Sequence, residues 1–253
     1  MRVDALDLDD AVARLLAAPQ RGAGLAVHLC NAHVLALAER DDAYRSLLDR
    51  GGLNLADGAP LVVAARWAGA RNLRVKTRPR GTSLLLETVQ RGTGAGVSHY
   101  FYGSTPETGR RLAHNLRARV PGVRLTTESP PFRPLRPDEH DSLVERVRAS
   151  KADIVWVGLG TPRQQHMVDR LAASLPVTAV GVGAAFEFVA GTKPEAPRWM
   201  QASGLEWVFR LVTEPRRLWH RYLVGNVVFV AGVLRHGLPL VAPRSDGANT
   251  PPA

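Results

Sequence analysis

Short apolar runs alternate with amphipathic stretches along most of the chain. The apolar runs are bounded by glycine, proline or small polar residues, which is typical of buried strands. The stretches between them repeat apolar residues at helical spacing. The pattern predicts strands near Val3 and at residues 24–31, 53–56, 97–102, 123–127, 154–157 and 177–182. It predicts helices up to residue 18, at residues 32–49, 82–91, 106–120 and 138–150, and from residues 60 and 162 onwards.

This alternation predicts a mostly parallel, doubly wound α/β sheet with right-handed crossovers. Ligands of such sheets bind at the carboxyl ends of the strands. Several predicted strand ends carry glycine beside a polar or helix-starting residue, namely Asp57-Gly58, Gly103-Ser104, Gly158-Leu159-Gly160 and Gly181-Val182-Gly183. We therefore expect these ends to line one cleft at a shared edge of the sheet.

The stretch D-I-V-W-V-G-L-G-T-P-R-Q-Q (153–165) is the clearest of these junctions. A buried strand leads through Gly158 and Gly160 towards a helix for which Thr161 is the predicted N-cap. The free N–H groups and the dipole of a helix N-terminus favour an anion such as a diphosphate. Gln164 adds an amide that both donates and accepts. The alternative is an ordinary connection between a strand and a helix, because glycine turns are common.

The texture of the chain changes from about Ala196 onwards. Three tryptophans and five arginines follow, namely Trp199, Trp207, Trp219, Arg198, Arg210, Arg216, Arg217 and Arg221. The apolar stretch 223–234 is shorter than the ~18 residues that span a bilayer. This pattern is typical of helices in a membrane interface, and the alternative is a helix pair that docks on the domain or on a partner subunit. The segment after Pro239 is rich in proline, serine and asparagine, which predicts a disordered tail.

The formal net charge of +10 indicates an anionic partner: nucleic acid, an anionic membrane or phosphorylated substrates. Aromatic residues make up only 6%, and no basic stripe interleaves with them, so a nucleic-acid partner is disfavoured. The single cysteine, Cys30, excludes an internal disulfide and a cysteine-based zinc cluster, and it fits a reducing cytoplasm. The acidic N-terminus lacks the apolar segment of a secretory signal. We find no nicotinamide, Walker A, nucleophile-elbow or metal-binding motif, and we expect no cofactor and no metal.

Polar residues at the predicted strand ends are the candidates for chemistry. Asp57 could take a proton from an attacking hydroxyl, or it could be a turn residue or helix cap. Asn31 could bind sugar hydroxyls or cap the helix that follows, and His33 could share the cleft or be structural. Glu187, in G-V-G-A-A-F-E-F, could accept hydrogen bonds from ribose or base groups. The basic stretch 72–81, which includes Arg80, could reach over an anionic ligand or be a solvated loop.

Five runs carry a family resemblance: L-A-D-G-A-P-L-V (55–62), F-Y-G-S-T-P-E-T (101–108), A-D-I-V-W-V-G-L-G-T-P-R-Q-Q (152–165), G-V-G-A-A-F-E-F-V-A-G (181–191) and A-P-R-W-M-Q-A-S-G-L-E-W-V-F-R-L-V-T-E-P-R-R-L-W-H-R-Y (196–222). In this order, over roughly residues 20 to 222, they resemble the WecG/TagA/CpsF family of bacterial glycosyltransferases. The resemblance implies a metal-independent, inverting enzyme with a Rossmann-like core. Such enzymes move a sugar, often N-acetylmannosamine, from a UDP-sugar to an undecaprenyl-diphosphate-linked sugar at the inner face of the membrane.

The resemblance also assigns roles to residues. Asp57 matches the proposed catalytic base, Asn31 the asparagine of T-x-N, and Gln164 the glutamine of G-x-P-x-Q-E. Glu187 lies where the family usually has an aspartate near the nucleotide. Arginines in the C-terminal appendage lie over the active site in the family, and that appendage helps membrane association; here they are Arg210, Arg217 and Arg221.

The implied organisation is a Rossmann-like catalytic core at residues 1–195, a basic and apolar helical appendage at 196–238 and the tail at 239–253. We expect a cytoplasmic protein that binds the anionic membrane surface peripherally, and a homo-oligomer is an open alternative. The sequence departs from the family pattern at Leu29, Ser83, Gln165 and Glu195. These departures leave open a second class of function, a nucleotide-binding assembly protein of the same fold that has lost catalysis.

Overall fold

The computed structural model describes residues 1–58, 79–203, 205–237 and 240–241. The strands are β1 (Val3–Asp4), β2 (Leu25–Cys30), β3 (Leu53–Ala56), β4 (Ser98–Gly103), β5 (Arg124–Glu128), β6 (Ile154–Gly158), β7 (Thr178–Gly181) and β8 (Leu240–Val241). The helices are Leu8–Ala17, Ala32–Ala38, Asp42–Asp49, Gly81–Thr93, Pro106–Arg119, Pro137–Ser150, Arg163–Ser174, Ala185–Ala190, Arg198–Ser203, Glu206–Thr213 and Pro215–His236. The predicted helix from residue 60 and most of the basic stretch 72–81 lie outside the described residues.

Every strand pair that the structure describes is parallel. Helices connect successive strands along the described chain, so the predicted Rossmann-like α/β class is confirmed. The chain forms two compact units that interleave in sequence. The first unit contains Met1–Asp7, Cys30–Pro79 and Glu195–Ala253, and the second contains Leu8–Leu29 and Arg80–Pro194. The domain boundaries expected from the sequence stay predictions.

The second unit holds five strands in the order β5-β4-β6-β7-β2. Side chains alternate between the two faces of this sheet. One face presents Tyr100, Val155 and Ala179 to a core that includes Leu143 and Met167 of the covering helices. On the other face, the ring of Phe101 lies 6.3 Å from Trp156 and 5.6 Å from Phe186, measured between ring centroids. Both faces are therefore covered, which is the doubly wound arrangement that the sequence predicts.

The first unit pairs β1 with β3 on one side and with β8 on the other. Asn54 fastens β3: its backbone N–H donates to Asp4 Oδ2 at 3.0 Å, and its side-chain amide donates to the Leu48 carbonyl at 2.8 Å. Leu240 and Val241 lie in the segment that the sequence predicts as a disordered tail, and the structure places them in β8 instead. Pairing with β1 gives their backbone groups partners that composition alone does not reveal.

Two local predictions differ from the structure. The helix expected at residues 32–49 is two helices, because Asp41 leaves the helical conformation and its carboxylate caps the second helix by accepting from the Tyr44 N–H at 2.9 Å. The helix expected from residue 162 begins at Arg163, so Thr161 is not its N-cap. The Thr161 hydroxyl instead accepts from the Gln165 side-chain amide at 3.4 Å.

No helix in the described part of the chain combines the length and the apolar character that crossing a bilayer requires.

Candidate functional site

Three strand ends of the second unit meet at one edge. Gly103 pairs in register with Gly158, and Val157 pairs with Gly181, so β4, β6 and β7 finish side by side. The approach is close: a Cβ at Gly158 would lie 2.7 Å from the Phe186 ring, and one at Gly103 would lie 2.5 Å from the Gly158 oxygen. These two glycines are therefore required by packing, and the expected alignment of the three strand ends is observed.

Gln164 connects two of these strand ends. Its side chain is only 4% exposed, and its Oε1 accepts from the Gly183 N–H at 3.1 Å. A Cβ at Gly181 would lie 3.4 Å from its Nε2, so the amide packs directly against the end of β7. The helix that follows β6 is thereby fastened to the turn that follows β7. This geometry makes Gln164 a residue that positions the glycine turn.

Gly160, in the same turn, has a φ of +76°, and a Cβ there would have nothing within 4 Å. Backbone conformation rather than crowding therefore favours glycine at this position. Its carbonyl accepts the N–H of Gln164 at 3.0 Å. The backbone at Gly160 is exposed, so it is accessible to a ligand at the strand ends.

Ser104 and Glu187 form a second connection at this edge. The Ser104 hydroxyl donates to Glu187 Oε1 at 3.2 Å. The other carboxylate oxygen, Oε2, is buried and has no hydrogen-bond partner in the described part of the chain. Ser104 also has a φ of +58°, a left-handed conformation that is uncommon for residues other than glycine. The sequence predicts a strand end at Gly103-Ser104, but a Gly-Ser pair gives no sign of this conformation.

Arg80 immediately precedes the helix Gly81–Thr93 in the second unit. A Cβ at Gly81 would lie 2.8 Å from the Val182 carbonyl oxygen, so the start of this helix lies against the turn after β7. The carbonyl of Arg80 accepts the Leu84 N–H at 2.8 Å, and no side chain caps the helix. Arg80, Gly158, Gly160, Gln164 and Glu187 therefore belong to the surroundings of one sheet edge.

Asp57 lies at the end of β3 in the first unit and is half-buried. Its backbone N–H donates at 2.9 Å to the carbonyl of Cys30, which belongs to the same unit. Burial raises the pKa of the Cys30 thiol, and the charge of Asp57 adds to this effect. A thiol with a raised pKa stays neutral and is a poor nucleophile at neutral pH. At this strand end the carboxylate of Asp57 is therefore a better candidate for proton transfer than the thiol of Cys30.

Asn31 and His33 follow Cys30 directly. The Asn31 Oδ1 accepts from the backbone N–H groups of His33 and Val34 at 3.1 and 3.2 Å. The capping alternative for Asn31 is thus observed, and its Nδ2 group takes no part in these bonds. The ring of His33 lies near the C-terminal helix, since a Cβ at Gly225 would be 3.9 Å from its Nδ1. Asn31 and Asp57 are brought to the same strand ends of the first unit.

The structure describes the arginines of the C-terminal segment to different extents. Arg210 makes an ion pair with Glu206 one helical turn away, at 2.6 Å. The backbones of Arg217 and Arg221 lie in the helix Pro215–His236, and their side chains fall outside the described residues. A contact of these arginines with a substrate stays a prediction.

The helix Pro215–His236 has two different faces. One packs into the first unit, where Phe229 is 5% exposed and shares a core with Val34 and Leu35. The other leaves Trp219 53% and Leu234 83% exposed. Docking on the domain, one of the two alternatives for this segment, is therefore observed for one face. The membrane interpretation rests on the other face and stays a prediction.

Among the described residues, no group of three or more His, Cys, Asp or Glu side chains could hold a metal ion.

Comparison with known proteins gives two findings. The sequence model of the Glycosyl transferase WecG/TagA/CpsF family matches residues 1–242. A relative from Bacillus spizizenii, named N-acetylglucosaminyldiphosphoundecaprenol N-acetyl-beta-D-mannosaminyltransferase, is 25% identical over 211 residues, which cover 83% of this chain and 79% of the relative.

Proposed function

The chain belongs to the WecG/TagA/CpsF family of glycosyl transferases, and on this premise we propose that it transfers a sugar from a UDP-sugar to an undecaprenyl-diphosphate-linked sugar. The sugar is of the N-acetylmannosamine type or another hexose, and the product enters a cell-surface polysaccharide or teichoic acid. Support comes from the relative, which is named for transferring N-acetylmannosamine to N-acetylglucosaminyldiphosphoundecaprenol and aligns over most of both chains.

The reaction is a single displacement at the anomeric carbon, with inversion of configuration. Asp57 takes the proton from the acceptor hydroxyl, the acceptor oxygen bonds to the anomeric carbon, and the bond from that carbon to the UDP oxygen breaks. The position of Asp57 at the end of β3, fixed through its N–H on the Cys30 carbonyl at 2.9 Å, is the observation that carries this assignment. Asn31, next in the chain to Cys30, binds sugar hydroxyls through Nδ2, and His33 lines the acceptor side.

The donor nucleotide binds at the strand ends of the second unit. Gly158 and Gly160 let the backbone approach the diphosphate, and Gln164 keeps the neighbouring turn in shape. Glu187 accepts from the nucleoside. Without a metal, the negative charge of the leaving UDP is stabilised by backbone N–H groups and by arginines, namely Arg80, Arg210, Arg217 and Arg221.

The enzyme acts in the cytoplasm at the inner face of the membrane, which it binds peripherally. From Pro215 to Ser245 the chain has no acidic residue, and it is rich in arginine. The exposed face of the helix Pro215–His236 adds Val230 and Leu234 to this positive charge. An apolar face beside arginines fits an anionic lipid surface. V230N/L234N should therefore sediment less with phosphatidylglycerol vesicles than wild type does, and equal sedimentation would contradict this membrane contact.

The transfer assay tests the activity itself. A panel of UDP-sugars is offered to the purified chain together with an undecaprenyl-diphosphate-linked N-acetylglucosamine, and the products are identified by mass spectrometry. We expect one donor to give a lipid-linked disaccharide with inverted anomeric configuration, without added metal and in the presence of a chelator. Product with retained configuration, or activity that the chelator abolishes, would contradict the mechanism.

The second candidate, a nucleotide-binding protein that has lost catalysis, is motivated by the departures from the family pattern. Two of these, Leu29 and Gln165, are buried side chains that contribute to packing. Asp57 and Asn31, to which the proposed reaction assigns roles, are not among the departures. Calorimetric binding of UDP together with no transfer from any donor to any lipid-linked acceptor would favour this candidate over the enzyme.

A further inference from the structure

We propose that Ser104 is a positioning residue that holds Glu187 so that its second carboxylate oxygen binds an O–H or N–H donor of the nucleoside. The inference rests on the proposed function, because it takes the strand ends of the second unit to be the binding site for UDP. It adds a residue to which nothing so far assigns a role.

The backbone of Ser104 is in a conformation that favours glycine. Two residues other than glycine have a positive φ in the described part of the chain, Ser104 at +58° and Lys151 at +52°. Lys151 caps the C-terminus of the helix Pro137–Ser150, where a left-handed residue is common. Ser104 follows a strand, so no helix end accounts for it. Strain of this kind persists where the surrounding structure holds it in place, and it concentrates at functional sites.

The side chain of Ser104 is what glycine could not replace. Its backbone N–H donates to the Gly158 carbonyl at 3.3 Å, a bond that any residue except proline can make. Its hydroxyl donates to Glu187 Oε1 at 3.2 Å, and this bond requires the side chain. The hydrogen bond to Glu187 is therefore the specific benefit that accompanies the strained backbone.

The Ser104 hydroxyl bonds to one carboxylate oxygen of Glu187 and leaves the other without a partner in the described residues. Glu187 Oε2 is buried, and it has no hydrogen-bond partner in the described residues. An ionised carboxylate can only accept, and a buried acceptor without a donor is costly. Glu187 bonds to Ser104, which directly follows β4 at the edge where β4, β6 and β7 end, and ligands bind at this edge in such sheets. A ligand that brings an O–H or N–H donor to this place satisfies it.

The uridine part of UDP offers three such donors: the two ribose hydroxyls and the N3–H of the base. These are two sources of the same chemistry, and either satisfies an acceptor. By fixing Oε1, Ser104 removes the rotational freedom of the carboxylate, so that Oε2 stays directed at the donor. The contribution of Ser104 to affinity is thus indirect and passes through Glu187.

The test separates binding from stability with four proteins: wild type, S104A, S104G and K151G. UDP binding is measured by calorimetry and unfolding by thermal denaturation. S104A and S104G both lose the hydroxyl and should bind UDP about tenfold more weakly. S104G relieves the strained backbone and should melt about 2–4 °C above S104A. K151G relieves similar strain in the same unit, so it should melt above wild type and bind UDP with wild-type affinity.

A merely structural Ser104 predicts a different pattern, in which affinity follows the melting temperature. Binding restored to the wild-type level in S104G would therefore overturn the inference, and so would unchanged affinity in S104A. Wild-type protein that binds no UDP would contradict the proposed function and the inference together. If wild type binds UDP and S104A binds it with the same affinity, only the inference is contradicted.

Nucleotide analogues identify the donor. Wild type and S104A are titrated with 2′-deoxy-UDP, 3′-deoxy-UDP and N3-methyl-UDP. The analogue that lacks the group bound by Glu187 should bind wild type more weakly than UDP does. The S104A substitution should not lower the affinity for this analogue any further. The other analogues should show the full tenfold effect of S104A. A full tenfold effect with all three analogues would mean that Glu187 binds none of these donors, and it would overturn the assignment.

Discussion

In the second unit, side chains connect one strand end to the next, whereas in the first unit Asp57 and Cys30 are connected through their backbones. Gln164 fastens the turn at Gly183, and Ser104 fastens Glu187. In the first unit the Asp57 N–H donates to the Cys30 carbonyl. A substitution of Gln164 or Ser104 therefore removes a structural contact, while a change of the Asp57 side chain leaves its backbone bond in place. Positioning and chemistry are thus expected to separate between the two units.

Acid should affect the second unit most strongly. Burial lowers the pKa of His99 to about 4 and that of His28 to about 4, from an ordinary value of 6.5. Because the folded pKa is depressed, folding keeps these side chains neutral. The contribution of the neutral histidines to the free energy of unfolding is therefore fully present above pH 6.5 and is lost as the pH falls towards 4. Each histidine accounts for about 3 kcal/mol over this range. Hydrogen exchange should show strands β2, β4 and β6 opening in this interval.

The matched variants for the acid prediction are H99N and H114N. The Trp156 indole donates to His99 Nδ1 at 3.2 Å, and asparagine keeps an acceptor that does not titrate. H99N should therefore flatten the fall in stability between pH 6.5 and pH 4. H114N, at an exposed position, should unfold like wild type. A fall in stability that is equally steep in H99N and wild type would show that His99 is not its source.

Loss of the Gln164 amide should weaken both folding and donor binding. Q164A leaves the Gly183 N–H without its acceptor in a buried place, which costs about 1–3 kcal/mol of unfolding free energy. UDP affinity should fall with it, because the turn after β7 loses its support. The control is Q90A, on the exposed face of a helix in the same unit, which should change neither quantity. If Q164A were as stable as wild type, the Gln164 side chain would not support the turn at Gly183, and the difference between the two units would be contradicted.

These contacts also show what the sequence can predict. The strands and their glycine-rich ends follow from hydrophobic pattern and turn chemistry, which are local properties. The hydrogen bond of Gln164 is not a local property, since its partner Gly183 is 19 positions away in the chain. The strain at Ser104 is a backbone property with no composition signature. Strand β8 depends on pairing with β1, which lies at the opposite end of the chain.

The smallest expected effect separates two roles of Asn31. Aspartate caps helices as well as asparagine does, but it lacks the Nδ2 donor. N31D should keep the wild-type melting temperature and raise the KM for the donor sugar. N31A should lose about 1 kcal/mol of stability as well, because the N–H groups of His33 and Val34 lose their acceptor. Wild-type KM in N31D would leave Asn31 with capping as its sole role.

The most direct test of the separation between positioning and chemistry compares turnover and UDP affinity in D57N. The control is D42N, which removes a carboxylate that is 94% exposed in the same unit and should leave both values unchanged. We predict that D57N binds UDP within about twofold of wild type, because its backbone bond to Cys30 remains. Its kcat should fall by about 100- to 10,000-fold, the typical contribution of a general base. Turnover by D57N at the wild-type rate would contradict the assignment of Asp57 as the general base.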